Sequence, residues 1–444
     1  MLPKERCQEI FAEILKHSDA DETELLVWDS THQLTRFANN TITQNVAEEG
    51  CVLSVRTVYG GRTARATNNK SDAESLRRVV AESASLARQQ QPDPELLPMP
   101  GPQTYQPVER YFEATAAATA QNRADAVAQA VRVAEKNGQT AAGIYSTTTG
   151  IQAVLNSSGV AAYYKDTHAE FSISVLDADS SGWAKKNAPD ASVINAEELA
   201  ERASRIATLS RDPKEMAPGK YVTILESSAV LDMLGFLFPD FSGQAMRDQR
   251  SFLTGRMGQK LFGENITIRD DVCHADQAGP PFDGEGVSRQ AVNLVEKGVA
   301  KELTYCRQTA QAMGAKPTGH GFPLPNDMGE APLNIVFAGD KYSVDEMIAA
   351  TERGILVTRL WYIREVDPYK KLLTGMTRDG TFYIENGQVR HGIKNFRFNE
   401  SAIDLLNCVQ MAGHPERAAG EESEPMIVPP LKVSEFNFTE VTKF

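Results

Sequence analysis

Histidine is the side chain that most often marks a catalytic metal, and its spacing in this sequence argues against a helical zinc site. Such a site needs two ligands one turn apart, as histidines at positions i and i+4 supply. No histidine here is followed by glutamate, and no two lie within five residues of each other. The seven histidines are His17, His32, His168, His274, His320, His391 and His414. We therefore predict no metal site of this kind.

The densest local group of metal-ligating residue types is a short acidic run with one cysteine and one histidine. Its members are Asp270, Asp271, Cys273, His274 and Asp276. These types could ligate zinc, but adjacent Cys273 and His274 would point to opposite faces of a strand. Because clusters of surface charge are usually solvated, we interpret the run as a polar loop without metal ligands.

A thiol nucleophile is the other chemistry that the residue types allow. Cys306 with His320 as its base would suit such a site. The sequence gives no contact between the two, and free cysteine is among the most buried residue types, so we interpret Cys306 as an inert thiol. The serine-nucleophile pattern G-x-S-x-G is absent, and Gly219-Lys220 lacks the upstream glycine of a P-loop. No catalytic residue is therefore assigned.

The composition is that of a folded protein with no nucleic-acid or membrane partner. The chain has 444 residues, of which 41% are hydrophobic and 24% charged, and its formal net charge is −13. A duplex-binding surface usually carries a basic excess. The sequence has no apolar run long enough for a membrane span, and no apolar segment near its start that would indicate a secretory signal. Five scattered cysteines without a CxxC pattern favour reduced thiols and a cytoplasmic location.

Hydrophobic periodicity and turn residues place the elements of the first half. Predicted helices cover 3–18, 72–90, 121–137 and 196–208, and predicted strands cover 24–28, 34–39, 51–59, 141–147, 151–156, 159–165 and 169–176. The segment 91–107 contains six prolines and is predicted to be an exposed loop. A composition break at Pro218-Gly219 suggests two domains, 1–215 and 216–444.

The second half is richer in strand signals. Predicted strands cover 221–225, 333–337, 355–363, 381–384 and 433–438, and predicted helices cover 227–238, 343–353 and 401–412. Asn386-Gly387 between two strand patterns predicts a hairpin. The chain is therefore expected to have an α+β fold, with an N-terminal helix-and-sheet domain and a β-rich C-terminal domain of curved, mostly antiparallel sheets.

Four stretches, spread in order over nearly the whole chain, resemble the TldD/PmbA family, whose members are described as peptidases and as modulators of DNA gyrase. The stretches are 35–45 with 55–56 and 60–62, 281–287 with 295–299 and 303–305, 317–321, and 384–387 with 395–401. Each is modest alone, but together and in this order they are specific. The resemblance implies a metallopeptidase fold and a role in proteolysis.

The same resemblance implies that the zinc site is missing. In the TldD branch, a helix ahead of a Ser/Thr-Gly-x-x-Gly segment carries His-Glu-x-x-x-His, and a late cysteine completes the site. Counting back from the matching segment 254–258 puts Leu234 and Pro239 at the histidine positions and Gly235 at the glutamate position, and no cysteine follows Cys408. The chain thus resembles the PmbA branch, also called TldE, which pairs with a zinc-bearing subunit.

The matched stretches also suggest residues that line a substrate groove, namely Arg36, Asn39, Asn40, Tyr305, Thr318 and His320. Arg36 either clamps a carboxylate or is simply solvated. Asn39-Asn40 either binds peptide backbone or forms a turn, and the turn is favoured because asparagine tolerates left-handed geometry. Thr318 and His320 lie in a loop rich in glycine and proline, where ligand contacts concentrate.

The leading hypothesis is a TldE-like subunit without zinc, which helps a zinc-bearing TldD-like partner to degrade small or unfolded peptides. No cofactor is then expected in this chain, because the zinc belongs to the partner, and it stays open whether the chain alone is an enzyme. The alternative is a non-catalytic homodimer that binds peptides or serves as a scaffold. A third hypothesis is an enzyme with an unrecognised site near Cys273 and His274.

Overall fold

A computed structural model describes residues 1–442 of the chain, and its first half alternates helices with the strands of one sheet. In chain order the elements are α1 (Lys4–His17), β1 (Glu22–Ala38), β2 (Thr41–Tyr59), β3 (Arg62–Asn68), α2 (Ala73–Gln89), α3 (Glu113–Ala116), α4 (Ala120–Lys136), β4 (Thr140–Asn156), β5 (Ala161–Leu176), β6 (Ser181–Ala188), a 3-10 helix (Ala191–Val193) and α5 (Ala196–Leu209). The proline-rich segment 91–107 contains neither helix nor strand.

The strands of this half form an antiparallel sheet in the order β3-β2-β1-β4-β5-β6. The predicted strand pairs 24–28 and 34–39, 141–147 and 151–156, and 159–165 and 169–176 are instead the single strands β1, β4 and β5. Polar residues interrupt the hydrophobic pattern of each strand, but pairing with neighbouring strands continues through the interruption. The prediction of separate short strands was wrong because this pairing outweighs local preference.

Helices cover one face of the sheet. α1 and α2 pack against one end of it around Leu25 and Val27, and α4 and α5 pack against the other end around Phe37 and Phe171. Successive side chains of a strand point to opposite faces, so the even-numbered residues of β1 point away from these helices. We call this second face the inner face, because Phe282 from the second half packs on it beside Leu26.

The second half contains most of the remaining strands and several short helices. In chain order its elements are β7 (Gly219–Leu225), α6 (Ser227–Leu234), a 3-10 helix (Phe238–Asp240), α7 (Gly243–Arg247), β8 (Ile268–Asp270), β9 (Val292–Glu296), β10 (Val299–Ala300), α8 (Arg307–Met313), β11 (Ile335–Phe337), α9 (Val344–Ala349), β12 (Arg353–Asp367), β13 (Leu372–Glu385), β14 (Gln388–Gly392), β15 (Phe396–Ser401), α10 (Ala402–Asn407), β16 (Val409–Ala412), β17 (Glu416–Ala418), β18 (Met426–Val428) and β19 (Leu431–Val441).

Five of these strands close on themselves as a barrel, in the order β12-β7-β19-β15-β13 and back to β12. A separate sheet has the order β10-β9-β8-β11-β18-β17. Pairing is antiparallel except between β7 and β12 and between β11 and β18. The α+β fold with mostly antiparallel sheets in the second half is therefore confirmed, and α6 lies in the apolar core shared by the barrel and this sheet.

Three predicted helices of the second half are longer than the real ones. The helix predicted over 227–238 ends at Leu234, and the helix predicted over 343–353 ends at Ala349. The helix predicted over 401–412 ends at Asn407, because residues 409–412 pair with β19 instead. None of the helices within residues 1–442 is long and apolar enough to cross a membrane. The division into domains at about residue 215 stays a prediction.

A buried ion network ties the first sheet to the second half. Glu24 on β1 pairs with Arg56 Nη2 at 3.1 Å, and both side chains are 1% exposed. Glu24 also pairs with Arg65, whose Nε donates to the backbone oxygen of Leu324 at 2.8 Å. Burial raises the pKa of Glu24, but the charges of the two arginines outweigh burial and hold this pKa below its ordinary value.

Replacing Glu24 by glutamine should destabilise the protein, because both arginines would keep their charge without a counter-ion. We expect the free energy of unfolding in urea at pH 7 to fall by about 3 kcal/mol. Because the pKa of Glu24 is lowered in the folded state, its contribution exists above pH 4.5 and is lost as the pH falls through the folded value. The exposed Glu49→Gln variant is the control, and equal urea midpoints for the two variants would contradict the prediction.

Candidate functional site

The helix that the sequence comparison places at the zinc position is packed as core. Leu234, the last residue of α6, is fully buried among apolar side chains, and Pro239 is exposed in the following 3-10 helix. An aliphatic side chain and a proline have no atom that can ligate zinc. The residues present at these positions therefore do not fit the metal.

Gly235, at the glutamate position, has no side chain that could act as a base, and the structure leaves no room for one. A Cβ built on Gly235 would overlap the Ser423 hydroxyl and would lie 2.7 Å from Ser423 Cβ. Ser423 belongs to residues 419–424, which we call the cover segment because they lie along α6, with Ser423 at its C-terminal end. No side chain larger than hydrogen fits at position 235 while the cover segment stays in this place.

Asp232 on α6 holds the cover segment in position. Its carboxylate accepts backbone N–H groups from Glu421, Glu422 and Ser423 at 3.1–3.3 Å. At the other end of the helix, the Ser228 hydroxyl donates to the backbone oxygen of Ala419 at 2.9 Å. Burial raises the pKa of Asp232 to about 6, against the lowering effect of the three N–H donors. At neutral pH the ionised carboxylate therefore organises the backbone of the segment.

The cover segment also contacts the inner face of the sheet. Lys185 on β6 donates to the backbone oxygen of Gly420 at 3.1 Å and pairs with Glu170 at 3.2 Å and Glu421 at 3.7 Å. A cavity of about 150 Å³ lies beside these contacts, between β6 and the start of α6. Its wall includes Trp183 and Ser228. The cover segment thus lies between α6 and the inner face and contacts both.

Three of the six predicted groove residues lie at the tip of the β1–β2 hairpin. Arg36 is exposed near the end of β1. Asn39 and Asn40 have φ values of 51° and 60° and form the turn, as asparagine permits. The Asn40 side chain binds the backbone at the start of β4. It donates to the Gln139 oxygen and accepts from the Ala141 N–H. These residues therefore shape the hairpin tip.

The other three predicted residues lie together elsewhere. Tyr305 and Thr318 exchange hydrogen bonds, from Tyr305 N to Thr318 Oγ1 at 2.8 Å and from Thr318 N to the Tyr305 oxygen at 3.0 Å. His320 Nδ1 lies 2.9 Å from Thr318 Oγ1, and His320 Nε2 lies 3.0 Å from Asp270 Oδ1. His320 is 1% exposed and joins its loop to Asp270 of β8, so it does not face a groove.

Cys306, just before α8, contacts a carboxylate and a hydroxyl group. Its N–H donates to Glu330 Oε2 at 3.1 Å, and its Sγ lies 3.3 Å from Thr309 Oγ1. Burial, together with the charge of Glu330, raises the pKa of the Cys306 thiol to about 12. Within residues 1–442 no hydrogen bond joins Cys306 to His320. A buried neutral thiol is a poor nucleophile.

The side chains of the acidic run beginning at Asp270 do not converge on one point. Asp270 is buried and faces His320, whereas Cys273 is exposed and contacts the Gln106 side chain. His274 Nδ1 lies 4.0 Å from Asp276. Across the described chain, no group of three or more histidine, cysteine or carboxylate side chains is placed to hold a metal ion.

Several residues that the structure brings together were missed from the sequence. Asp232, Lys185 and Ser423 come from three distant segments, and nothing in their local patterns relates them. Asp166 and His168 did carry a signal, because they alternate with the buried Thr167 on one strand. Polar residues two positions apart in a strand point to the same face of the sheet, so this spacing could have placed Asp166 and His168 together.

Family models for the PmbA/TldA metallopeptidases match three segments of this chain. Domain 1 matches residues 24–87, the central domain matches 106–211, and the C-terminal domain matches 218–440, which is about half of the chain. The three segments follow the order of the domains in the models and leave only short stretches between them.

Similar proteins extend this result. A protein of unassigned function from Methanocaldococcus jannaschii is 30% identical over 216 residues, and the match spans about half of each chain, 48% of this one and 51% of that one. The metalloprotease PmbA of Escherichia coli O157:H7 is 21% identical over 86% of this chain and 85% of its own. The crystal structure of TldE from Thermococcus kodakarensis has the same fold, with a TM-score of 0.88 at 20% identity over 98% of this chain and 100% of that one.

Replacing Gly235 by alanine should displace the cover segment. The backbone at Gly235 is already helical, so the new methyl group is strained only by its overlap with Ser423. We expect a loss of about 1–3 kcal/mol in the free energy of unfolding and faster amide hydrogen exchange at residues 421–423. The double variant Gly235→Ala with Ser423→Gly removes the overlap and should recover most of the loss. Equal exchange in the single variant and the native protein would contradict this.

The five cysteines should differ sharply in their reactivity toward iodoacetamide at pH 7. Cys273 is exposed, whereas Cys306 is buried with its pKa raised to about 12. We expect Cys273 to be alkylated first and Cys306 to stay unmodified until the protein unfolds, as mass spectrometry of the digested protein would show. Preferential labelling of native Cys306 would revive the thiol-nucleophile hypothesis.

Proposed function

This chain belongs to the PmbA/TldD metallopeptidase family, and we propose that it is a TldE-like subunit without zinc, which supports a metallopeptidase complex in the proteolysis of small or unfolded peptides. The proposed partner is a zinc-bearing TldD-like subunit. The proposed location is the cytoplasm, where the five free cysteines would stay reduced.

The observation that carries the proposal is the closed glutamate position. Gly235 cannot accept a side chain beneath Ser423, and Leu234 and Pro239 offer no ligand atoms. A zinc peptidase needs a metal-bound water and a base beside it. Since the residues at this position supply neither, hydrolysis in the proposed complex depends on the other subunit.

An unpaired strand edge supports a role in binding extended peptides. β3 pairs only with residues 53–59 of β2, so the outer edge of residues 41–52 of β2 has no neighbouring strand within the described part of the chain. Most of these residues are exposed. The free N–H and C=O groups of such an edge can pair with an added strand, which would be a peptide or a segment of the partner.

Co-purification with a zinc-bearing homologue from the same cell tests the proposal directly. We expect a stable complex with one zinc per pair, and cleavage of an unstructured peptide by the complex but not by this chain alone. The physical reason is that the residues at the zinc position of this chain offer no ligand and no base. The readouts are size-exclusion chromatography, elemental analysis and mass spectrometry of the peptide products.

A matched control changes the glutamate of the partner's own His-Glu motif to glutamine, which should abolish cleavage while the complex still forms. The outcome that contradicts the proposal is zinc-dependent cleavage by this chain alone. A stable homodimer that binds no zinc-bearing homologue would instead favour a peptide-binding or scaffold role.

A further inference from the structure

The first sheet ends in a long strand edge that nothing in the described chain covers. β3 pairs with residues 53–59 of β2 only, so the outward N–H and C=O groups of residues 41–52 face no strand within residues 1–442. We call this run the free edge. It contains no proline and no lysine, the residues that natural proteins place on edge strands to prevent pairing. An unprotected edge of this length is typical of a surface that pairs with another chain.

Two charged side chains of opposite sign lie on the inner face at this edge. Arg36 of β1 is directly across from Gln44, and Glu48 lies one turn of the pleat pattern farther along β2, across from His32. Both charged side chains are exposed, and neither makes an ion pair or a side-chain hydrogen bond with any described residue. An antiparallel strand of the same sequence reverses their order, so it brings the opposite charges together.

We propose that the free edge pairs with the free edge of a second copy of this chain. Two first sheets of six strands each would then form one continuous sheet. The pairing is antiparallel about a twofold axis, which is the commonest symmetry of homodimers. This inference goes beyond the proposed function, because it adds a second copy of this chain to the complex and does not involve the zinc-bearing partner.

Symmetry and side-chain chemistry favour one register. A twofold axis normal to an antiparallel sheet places one residue directly opposite its own copy. With Val46 at the axis, the existing pair of Leu34 and Val46 continues across the axis as an apolar row of four side chains. The same register places Glu48 opposite Gln44 of the second copy.

Arg36 then lies two strands away from Glu48 of the second copy. Their Cα atoms would be roughly 10 Å apart, which these two long side chains can span over Gln44. Moving the axis to Asn45 or Ala47 would set Val46 opposite Gln44 or Glu48 and break the apolar row. Moving it to Glu48 would set two carboxylates face to face, which is destabilising. The register centred on Val46 therefore suits both the apolar and the charged side chains.

Sedimentation velocity of this chain alone, over a range of micromolar concentrations, tests the pairing. Because a single pair of strands buries less area than an obligate dimer, we expect a dimer with a Kd of about 10 μM. Val46→Lys sets two like charges opposite each other at the axis and should weaken the dimer at least tenfold. In the isolated chain Val46 is only partly buried, so the variant should melt as the native chain does.

A charge exchange supplies the matched control. Glu48→Lys brings its new charge beside Arg36 of the second copy and should weaken the dimer, and Arg36→Glu should do the same. The double variant with both changes restores opposite charges and should recover the native Kd to within about threefold. Since Arg36 and Glu48 of one chain make no ion pair with each other, this recovery reports a contact between copies.

A disulfide tests the register itself. Val46→Cys would face its own copy at a Cα separation that a disulfide permits, so oxidised glutathione should cross-link two chains through this position. Gln44→Cys is the control, because its two copies would lie about 13 Å apart and should not cross-link. Mass spectrometry of the digested, non-reduced protein identifies the bonded positions.

A chain that stays monomeric at every concentration would overturn the inference. So would a dimer that Val46→Lys leaves unchanged, or one that cross-links through position 44 and not through position 46. These measurements use no zinc-bearing partner and no peptide cleavage. A monomer that still binds such a partner would therefore contradict the pairing alone, and a dimer that binds none would contradict the proposed function alone.

Discussion

A glycine at position 235 lets the cover segment lie flat against the end of α6, and much of the surrounding structure depends on this close contact. The segment brings three N–H groups to Asp232 and a carbonyl and a carboxylate to Lys185 of the first sheet. It thereby joins α6 in the core of the second half to β6 in the first half. Any side chain at position 235 would push these contacts apart, because packed interiors leave no spare volume.

The two halves are also joined where Arg65 of the sheet contacts the loop that contains Leu324. The ion network around Glu24 places two arginine charges where water is excluded, and it is stable only with all its partners present. The inner face between these two junctions is thus fixed in place by contacts at both ends.

A row of small or polar residues across the first sheet explains why its strands were difficult to predict. The gaps between the predicted strands fall near Ser30, at Gly150 and at Asp166, which the register places in one row. Glycine and short polar residues weaken a strand when it is judged alone. Here they are paired on both sides, so each strand continues through them.

The sequence by itself determined the four long helices of the first half, α1, α2, α4 and α5. It also determined the hairpin turns at Asn39-Asn40 and Asn386-Gly387, the α+β class and the family. Each of these rests on local spacing or on motifs in a fixed order, and both are readable along one chain. It also showed that Leu234, Gly235 and Pro239 stand where ligands and a base would be needed.

Only the tertiary structure decided that residues 409–412 are a strand, since their partner is β19, and that His320 is buried against Asp270. It alone placed Ser423 over Gly235 and left Asp166 without a partner. These facts depend on contacts between segments far apart in sequence. Such contacts produce no periodic pattern in either segment, so neither segment predicts them by itself.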